Sequence, residues 1–380
     1  MTAPVPGVRQ QSRRETREQN GVSFLSPGVL DTAEAISRWI CRGGTQSSSG
    51  AYCGWRRLGN GELSPPYPEI TGYTLGFLSS LWPLDDADTA RAAAGCAWLV
   101  SRSEAGDLSA RPEKTGRAVY TFDVAMTAHG LIRHGLAAGD DRAVAAGLRN
   151  AEALVAAERR HGELPCVVPG TADVPLGESW SVQGHAHLLK CVQALLSAAS
   201  SGLKPAADLA ERMVHDAIDQ QGDPLDALTG GCRSGDQISL HALCYAAEGL
   251  WVWGTHSEDP ASLDLSRRAT EWVWRQRLPG GGFPGFVPLQ GRAADRPVPQ
   301  SDVLAQALRL VALHRLPAPG LEEAVTTLLK SVHQSGDTAA VCYRPQAREL
   351  HLNCWASLFA VQALRLHADS RYWLPWFALV

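Results

Sequence analysis

Three carboxylates and three imidazoles stand where apolar helices are about to begin. Glu69 lies in Tyr67-Pro68-Glu69-Ile70, Asp123 follows Tyr120 and Phe122, and Asp302 follows Ser301. His185 and His187 lie in Trp180-Ser181-Val182-Gln183-Gly184-His185-Ala186-His187, and His241 in Ser239-Leu240-His241. Carboxylates around one mouth can supply the general acid and base that sugar chemistry requires. Imidazole titrates near neutrality, so two of them facing one substrate can shuttle a proton. Each group also has a plain structural use, as a helix cap, a dipole partner or a hydrogen-bonded core residue. His185 and His187 are two residues apart and point to different faces, so at most one reaches a shared cavity. The candidate catalytic set is therefore Glu69, Asp123, His185, His241 and Asp302.

Flat aromatic side chains accompany these groups. Trp55, Tyr67, Tyr73, Tyr120, Trp180 and Trp355, with Gln306 and Asn353, form the expected substrate-binding set; Phe283 and Phe286 are further candidates for the same mouth. Aromatic rings offer stacking platforms, with rim packing as their ordinary alternative. Arg111, Arg117, Arg233, Arg292, Arg296 and Arg344 lie in long connections, where they are solvated or grip an anionic substrate group together.

Two kinds of helix must position these residues. Segments near 31–42, 87–102, 142–158, 206–218, 261–277 and 321–332 carry one apolar stripe each; Ala206, Leu209, Ala210, Met213, Val214, Ala217 and Ile218 show it well. Segments 70–82, 122–136, 181–198, 238–253, 300–315 and 352–366 are apolar almost all round and must be buried on every face. The two kinds alternate, six of each, with a repeat of about 55–60 residues. An all-α toroid follows, (α/α)6, of six helical hairpins with the second kind inside. Inner-to-outer links are short; outer-to-inner links (43–68, 103–121, 159–180, 219–237, 278–299, 335–351) are long and should gather on one face above the inner N-termini. Segments 225–237 and 279–299 read as too polar and Gly/Pro-rich for helix, and Gly162-Glu163-Leu164 and Gly282-Phe283 as small β turns over the rim.

The pattern resembles the six-hairpin (α/α) barrels, which include glycosidases, polysaccharide lyases and N-acylglucosamine 2-epimerases. Tyr67-Pro68-Glu69-Ile70-Thr71-Gly72-Tyr73 looks like a signature of uncharacterised six-hairpin proteins of sugar and polysaccharide pathways; the runs from Ser239 to Leu250 and from Ser301 to Leu310 look like its later repeats. Gly184-His185-x-x-Leu188 resembles the Gly-His segment of the epimerases, whose His pair moves a proton on a sugar carbon, although their acidic residue is absent here. The resemblance implies an acid–base enzyme on a sugar, with epimerisation or isomerisation first and a hydrolase or lyase using Glu69 and Asp123 as the alternative. Asp236, His241 and Cys244-Tyr245 resemble the zinc segment of protein prenyltransferase β-subunits, with His351 and Cys354 as further ligands. The Asp-x-Cys pair of that family is missing, so no metal and no cofactor are expected. An isoprenoid cyclase or prenyltransferase-like enzyme and a non-catalytic binding barrel are the other readings. Asp85-Asp86-Ala87-Asp88 reads as a helix cap rather than a terpene-synthase acidic cluster.

Composition narrows the partners. The 380 residues carry a net charge of −4, which disfavours nucleic acid. Nine scattered Cys suit reduced thiols in the cytoplasm. No stretch has the apolar length of a membrane span or secretory signal. Residues 1–20 read as a disordered arm and 21–380 as one barrel domain. A sugar-containing small molecule is the expected partner, with a homodimer as the candidate assembly.

Overall fold

The computed structural model describes residues 27–110, 116–289 and 297–380. The expected arm, and with it Arg111, Arg292 and Arg296, lies outside the described residues. In chain order the hairpins begin with α1 (Pro27–Cys41) and α2 (Pro68–Ser80), then α3 (Asp86–Glu104) and α4 (Thr121–Ala138). The third runs from α5 (Asp141–His161) through α6 (Trp180–Gln183), a 3-10 stretch (Ala186–Cys191) and α7 (Val192–Ser200). The fourth runs from α8 (Lys204–Ile218) through α9 (Pro224–Gly230) to α10 (Leu240–Ser257). The last two are α11 (Pro260–Arg275) with α12 (Ser301–Leu313) and α13 (Leu321–Lys330) with α14 (Cys354–Ala368).

The apolar helices form the inner ring. Every residue of α10 from Leu240 to Gly254 is buried except His241, and all of α12 from Ser301 to Val311 is buried. On outer α8 only Ala206, Leu209, Ala210 and Val214 are buried, as a single stripe demands. Inner neighbours touch in a cycle: α2 on α4, α4 on the 3-10 stretch and α7, these on α10, α10 on α12, α12 on α14, and α14 back on α2. The ring closes, and the chain is an (α/α)6 barrel.

Caps set the helix starts. Asp85, Asp140 and Asp259 accept backbone N–H groups at the heads of α3, α5 and α11, so the acidic run at Asp85 is a cap. Asp223 caps α9, a helix within 225–237 that the sequence reading missed; Pro224 at its first position was the available signal. Close packing uses glycine at the crossing of α2 and α4. A Cβ on Gly72 would stand 2.4 Å from the Met126 carbonyl oxygen, and one on Gly130 2.2 Å from that of Gly72. Gly72 comes one turn after Glu69, and Met126 one turn after Asp123. The crossing therefore holds those two helix heads side by side.

The third inner segment departs from expectation. Gly184 is extended and interrupts the helix predicted over 181–198. A Cβ there would meet the Gly231 carbonyl oxygen at 2.4 Å, so only glycine lets α9's exit pass this close. Rim β structure does form. At Gly282-Phe283 a hydrogen-bonded turn joins Leu278 to Gly282 and leads into the antiparallel bridge of Pro284 and Pro299, whereas Gly162 is the left-handed C-cap of α5. The strands are β1 (Trp55–Arg57), β2 (Arg233–Ser234), β3 (Gln237–Ser239), β4 (Phe286–Pro288), β5 (Val332–Ser335), β6 (Thr338–Val341) and β7 (His351–Asn353). They pair antiparallel as β1–β7, β2–β3–β4 and β5–β6. β3 and β7 run directly into the inner helices α10 and α14. No described helix is long and apolar enough to cross a membrane.

Candidate active site

A cavity of about 420 Å³ opens at the inner N-termini. Glu69 and Asp123 line it from the first turns of α2 and α4, Asp302 and His241 from those of α12 and α10. All three carboxylates are largely buried, with 5–6% of each residue exposed. They break the apolar rule of the inner helices only at the mouth, where helix N–H groups favour negative charge.

Specific contacts orient these groups. Trp355 Nε1 donates to Glu69 Oε1 at 3.0 Å. His241 Nδ1 lies 2.7 Å from Gln306 Oε1 and 3.5 Å from Asp302 Oδ2. Burial raises the Asp302 carboxyl above the ordinary range, against the opposing pull of His241. Trp180 meets His187 edge-on at 5.0 Å and His241 at 5.8 Å. Trp55, carried by β1, stacks on His351 of β7 at 4.2 Å and 8°. Trp55, Tyr67, Tyr120, Trp180, Trp355 and Asn353 all line the cavity. Asn353 also caps α14 through its side-chain oxygen.

Three expectations change. His185 lies elsewhere, on a second cavity of about 470 Å³ in the barrel wall beside α5, α8 and α9. The break at Gly184 leaves His187 facing the central cavity instead. Burial lowers the His187 pKa to about 3, helped by the neighbouring imidazoles, so this ring is neutral. Gln306 and Tyr73 are buried beneath the cavity rather than lining it; Tyr73 packs parallel to Tyr245 at 6.5 Å. Phe283 is fully buried against Trp274, whereas Phe286 reaches the mouth.

The wall cavity is slightly larger, but the carboxylates of several inner helices do not meet there, and its Glu158 is paired with Arg212 at 2.9 Å. We place the site in the central cavity for that reason. Sequence reading also missed Tyr245, Gln300 and Tyr343 as lining residues. Tyr245 lies one turn after His241, a helical spacing that could have found it. Of the loop arginines, Arg344 lines the cavity, while Arg117 and Arg233 do not. The candidate zinc ligands do not gather: Cys354 faces Thr74 at 3.7 Å, and His351 stacks on Trp55. Among the described residues no group of three or more His, Cys, Asp or Glu is arranged to hold a metal ion.

Solved structures share this architecture. An unsaturated glucuronyl hydrolase specific for heparin superposes with a TM-score of 0.66 at 11% identity, over 91% of this chain and 98% of its own. The unsaturated glucuronyl hydrolase from Bacillus sp. GL1, responsible for glycosaminoglycan degradation, gives 0.64 at 12% identity, over 88% and 96%. A sugar epimerase from a ruminal bacterium gives 0.63 at 12% identity, over 90% and 98%. Identities this low establish the shared fold. No protein-family model matches the sequence, and neither does any curated protein.

Proposed function

We propose that the protein is an enzyme that cleaves a sugar linkage by acid–base catalysis in the central cavity. The observation that carries this reading is the meeting of Glu69, Asp123 and Asp302, from three inner helices, in one pocket walled by aromatic rings. Two carboxyl groups with different proton affinities can divide the acid and base roles. Asp302, raised by burial and beside His241, is given the proton-donor role. Asp123 is given activation of water, and Glu69, held by Trp355, the orientation of substrate hydroxyls. The rings of Trp55, Trp180 and Trp355 suit the apolar faces of a sugar. The fold shared with glucuronyl hydrolases supports a sugar-containing small molecule as substrate.

The epimerase-like neighbour favours a second reading, proton transfer at a sugar carbon. The epimerase reading needs a pair of imidazole bases on one substrate. His185 is outside the cavity, and His187, with a pKa of about 3, is a weak base, which leaves His241 without its partner. Cleavage is therefore the better supported reading. The test is incubation with saturated and unsaturated uronyl oligosaccharides in deuterated water, followed by reducing-end assay and mass spectrometry. New reducing ends, with no deuterium in the recovered substrate, are expected. Deuterium washed into an uncleaved sugar would replace cleavage by epimerisation.

A further inference from the structure

The floor of the cavity holds a buried polar chain. Glu248, on α10 two turns below His241, is fully buried, as are Lys190 and Arg309. Lys190 Nζ lies 3.1 Å from Glu248 Oε2, and Arg309 Nη2 donates to Glu248 Oε1. Burial works to raise the Glu248 carboxyl, but the Arg309 and Lys190 cations outweigh it and hold the group below its ordinary range. Glu248 is thus an ionised carboxylate, which only accepts hydrogen bonds.

That charge decides which way Gln306 faces. The amide nitrogen of Gln306 donates to Glu248 Oε1 at 3.1 Å, because a carboxylate cannot donate to the amide oxygen. The amide oxygen is then the atom 2.7 Å from His241 Nδ1. An amide oxygen only accepts, so His241 Nδ1 carries the proton. Asp302 Oδ2, at 3.5 Å from the same nitrogen, is a longer contact. Trp180, Tyr245 and Phe359 surround the ring with aromatic edges and faces, and His187 adds a neutral imidazole nearby. His241 Nε2 is left to the cavity that the ring lines.

We propose that Gln306 is a positioning residue that relays the Glu248 charge and fixes neutral His241 as the Nδ1–H tautomer, with the Nε2 lone pair offered to the cavity. The consequence is a histidine able to accept a proton or hydrogen bond from a bound sugar hydroxyl or water. That use rests on the proposed function; the tautomer does not. The arrangement also gives a reason for buried charge beneath an apolar barrel: the ion cluster sets the hydrogen-bonding sense of a site group it does not touch.

The test is nitrogen-15 NMR of the full chain labelled at histidine, at a pH where His241 is neutral, with its signals assigned by loss in His241→Asn. The wild type should show a pyrrole-like Nδ1 and a pyridine-like Nε2. Gln306→Met removes both hydrogen bonds at similar volume. It should shift the ring toward a tautomer mixture and lower kcat on the order of 10²-fold with little change in KM. An Nε2–H tautomer in the wild type overturns the proposal, and that spectrum needs no variant to fold. An Nδ1–H signal unchanged in folded Gln306→Met overturns the role of Gln306. Absence of turnover on every sugar, with Nδ1–H observed, would reject the sugar reading and leave the relay standing.

Discussion

His129 on α4 and His241 on α10 are imidazoles of the same inner ring, the first in the third turn of its helix and the second at the head of its own. His129 is filled on both sides: Nδ1 meets Ser197 Oγ at 3.0 Å, and Nε2 meets the Phe377 carbonyl oxygen at 3.1 Å. His241 is held on one side only and lines a cavity with the other. The surroundings follow the same division. Around His129, residues 376–380 cross the lower interior, and their carbonyl oxygens accept from Gln193, Gln362 and Arg309. Around His241, carboxylates and rings face open volume. His129 deep in this barrel completes its packing, whereas His241 at the mouth lines open volume.

The largest effect should come from removing a mouth carboxylate. Asp123→Asn and Asp302→Asn should each lower turnover by about 10²–10⁴, the contribution of a positioned acid or base. Thermal unfolding should change little, since α4 and α12 are held in the ring mainly by buried apolar side chains. A comparable loss of stability would place them with His129 as structural groups. In the lower interior stability itself should fall. Glu248→Ala leaves Lys190 and Arg309 buried without their counter-ion and should cost about 3–5 kcal/mol of stability. Denaturant unfolding measures this directly.

Acid should find the same lower interior. Burial lowers the His129 pKa there to about 3, and that of His187, on the central cavity, to a similar value. In the unfolded chain both rings take up protons near 6.5, so below that pH the unfolded state binds more protons than the folded one. Their stabilising contribution is complete above about 6.5 and is lost as pH falls toward 3. The unfolding midpoint should drop through that window, and His129→Gln should flatten the decline. An unchanged slope in that variant would remove His129 from the acid response.

Much of the barrel was legible because a helix buried all round differs in composition from one with a single stripe, as α12 and α8 show. The mouth carboxylates were legible because Glu69, Asp123 and Asp302 interrupt apolar runs at their heads. His187 was not. Choosing it over His185 required the break at Gly184, which depends on contact with Gly231, 47 residues away in the chain. Gln306 was visible as a polar residue in an apolar helix, but its task depends on a charge cluster built from three helical segments. Tyr343 sits in a long connection whose course no periodicity reveals. Gly72 was visible only as part of the Tyr67–Tyr73 motif; its role at a helix crossing depends on contact with Met126, 54 residues away in the chain. Gly72→Ala should cost about 1–3 kcal/mol through overpacking against Met126, and should also reduce activity because α2 and α4 carry Glu69 and Asp123.

The smallest effect separates binding from chemistry within the mouth itself. Trp55 stands on the two-stranded rim, paired through β1 with Asn353 and stacked flat on His351. It reaches the cavity through its ring, which can neither donate nor accept a proton in acid–base catalysis. Its contribution should be a face for the sugar, worth about 0.5–1.5 kcal/mol as an aromatic contact. Trp55→Ala should therefore raise KM by up to about tenfold and leave kcat near wild type, since uniform binding is lost equally from substrate and transition state. Trp55→Phe retains a flat face and should recover most of the affinity. Steady-state kinetics on a cleaved oligosaccharide separates the two constants. A fall in kcat as large as that of Asp302→Asn, at unchanged KM, would show that the rim positions the reacting groups, and Trp55 would then belong with the acid–base residues rather than with the binding surface.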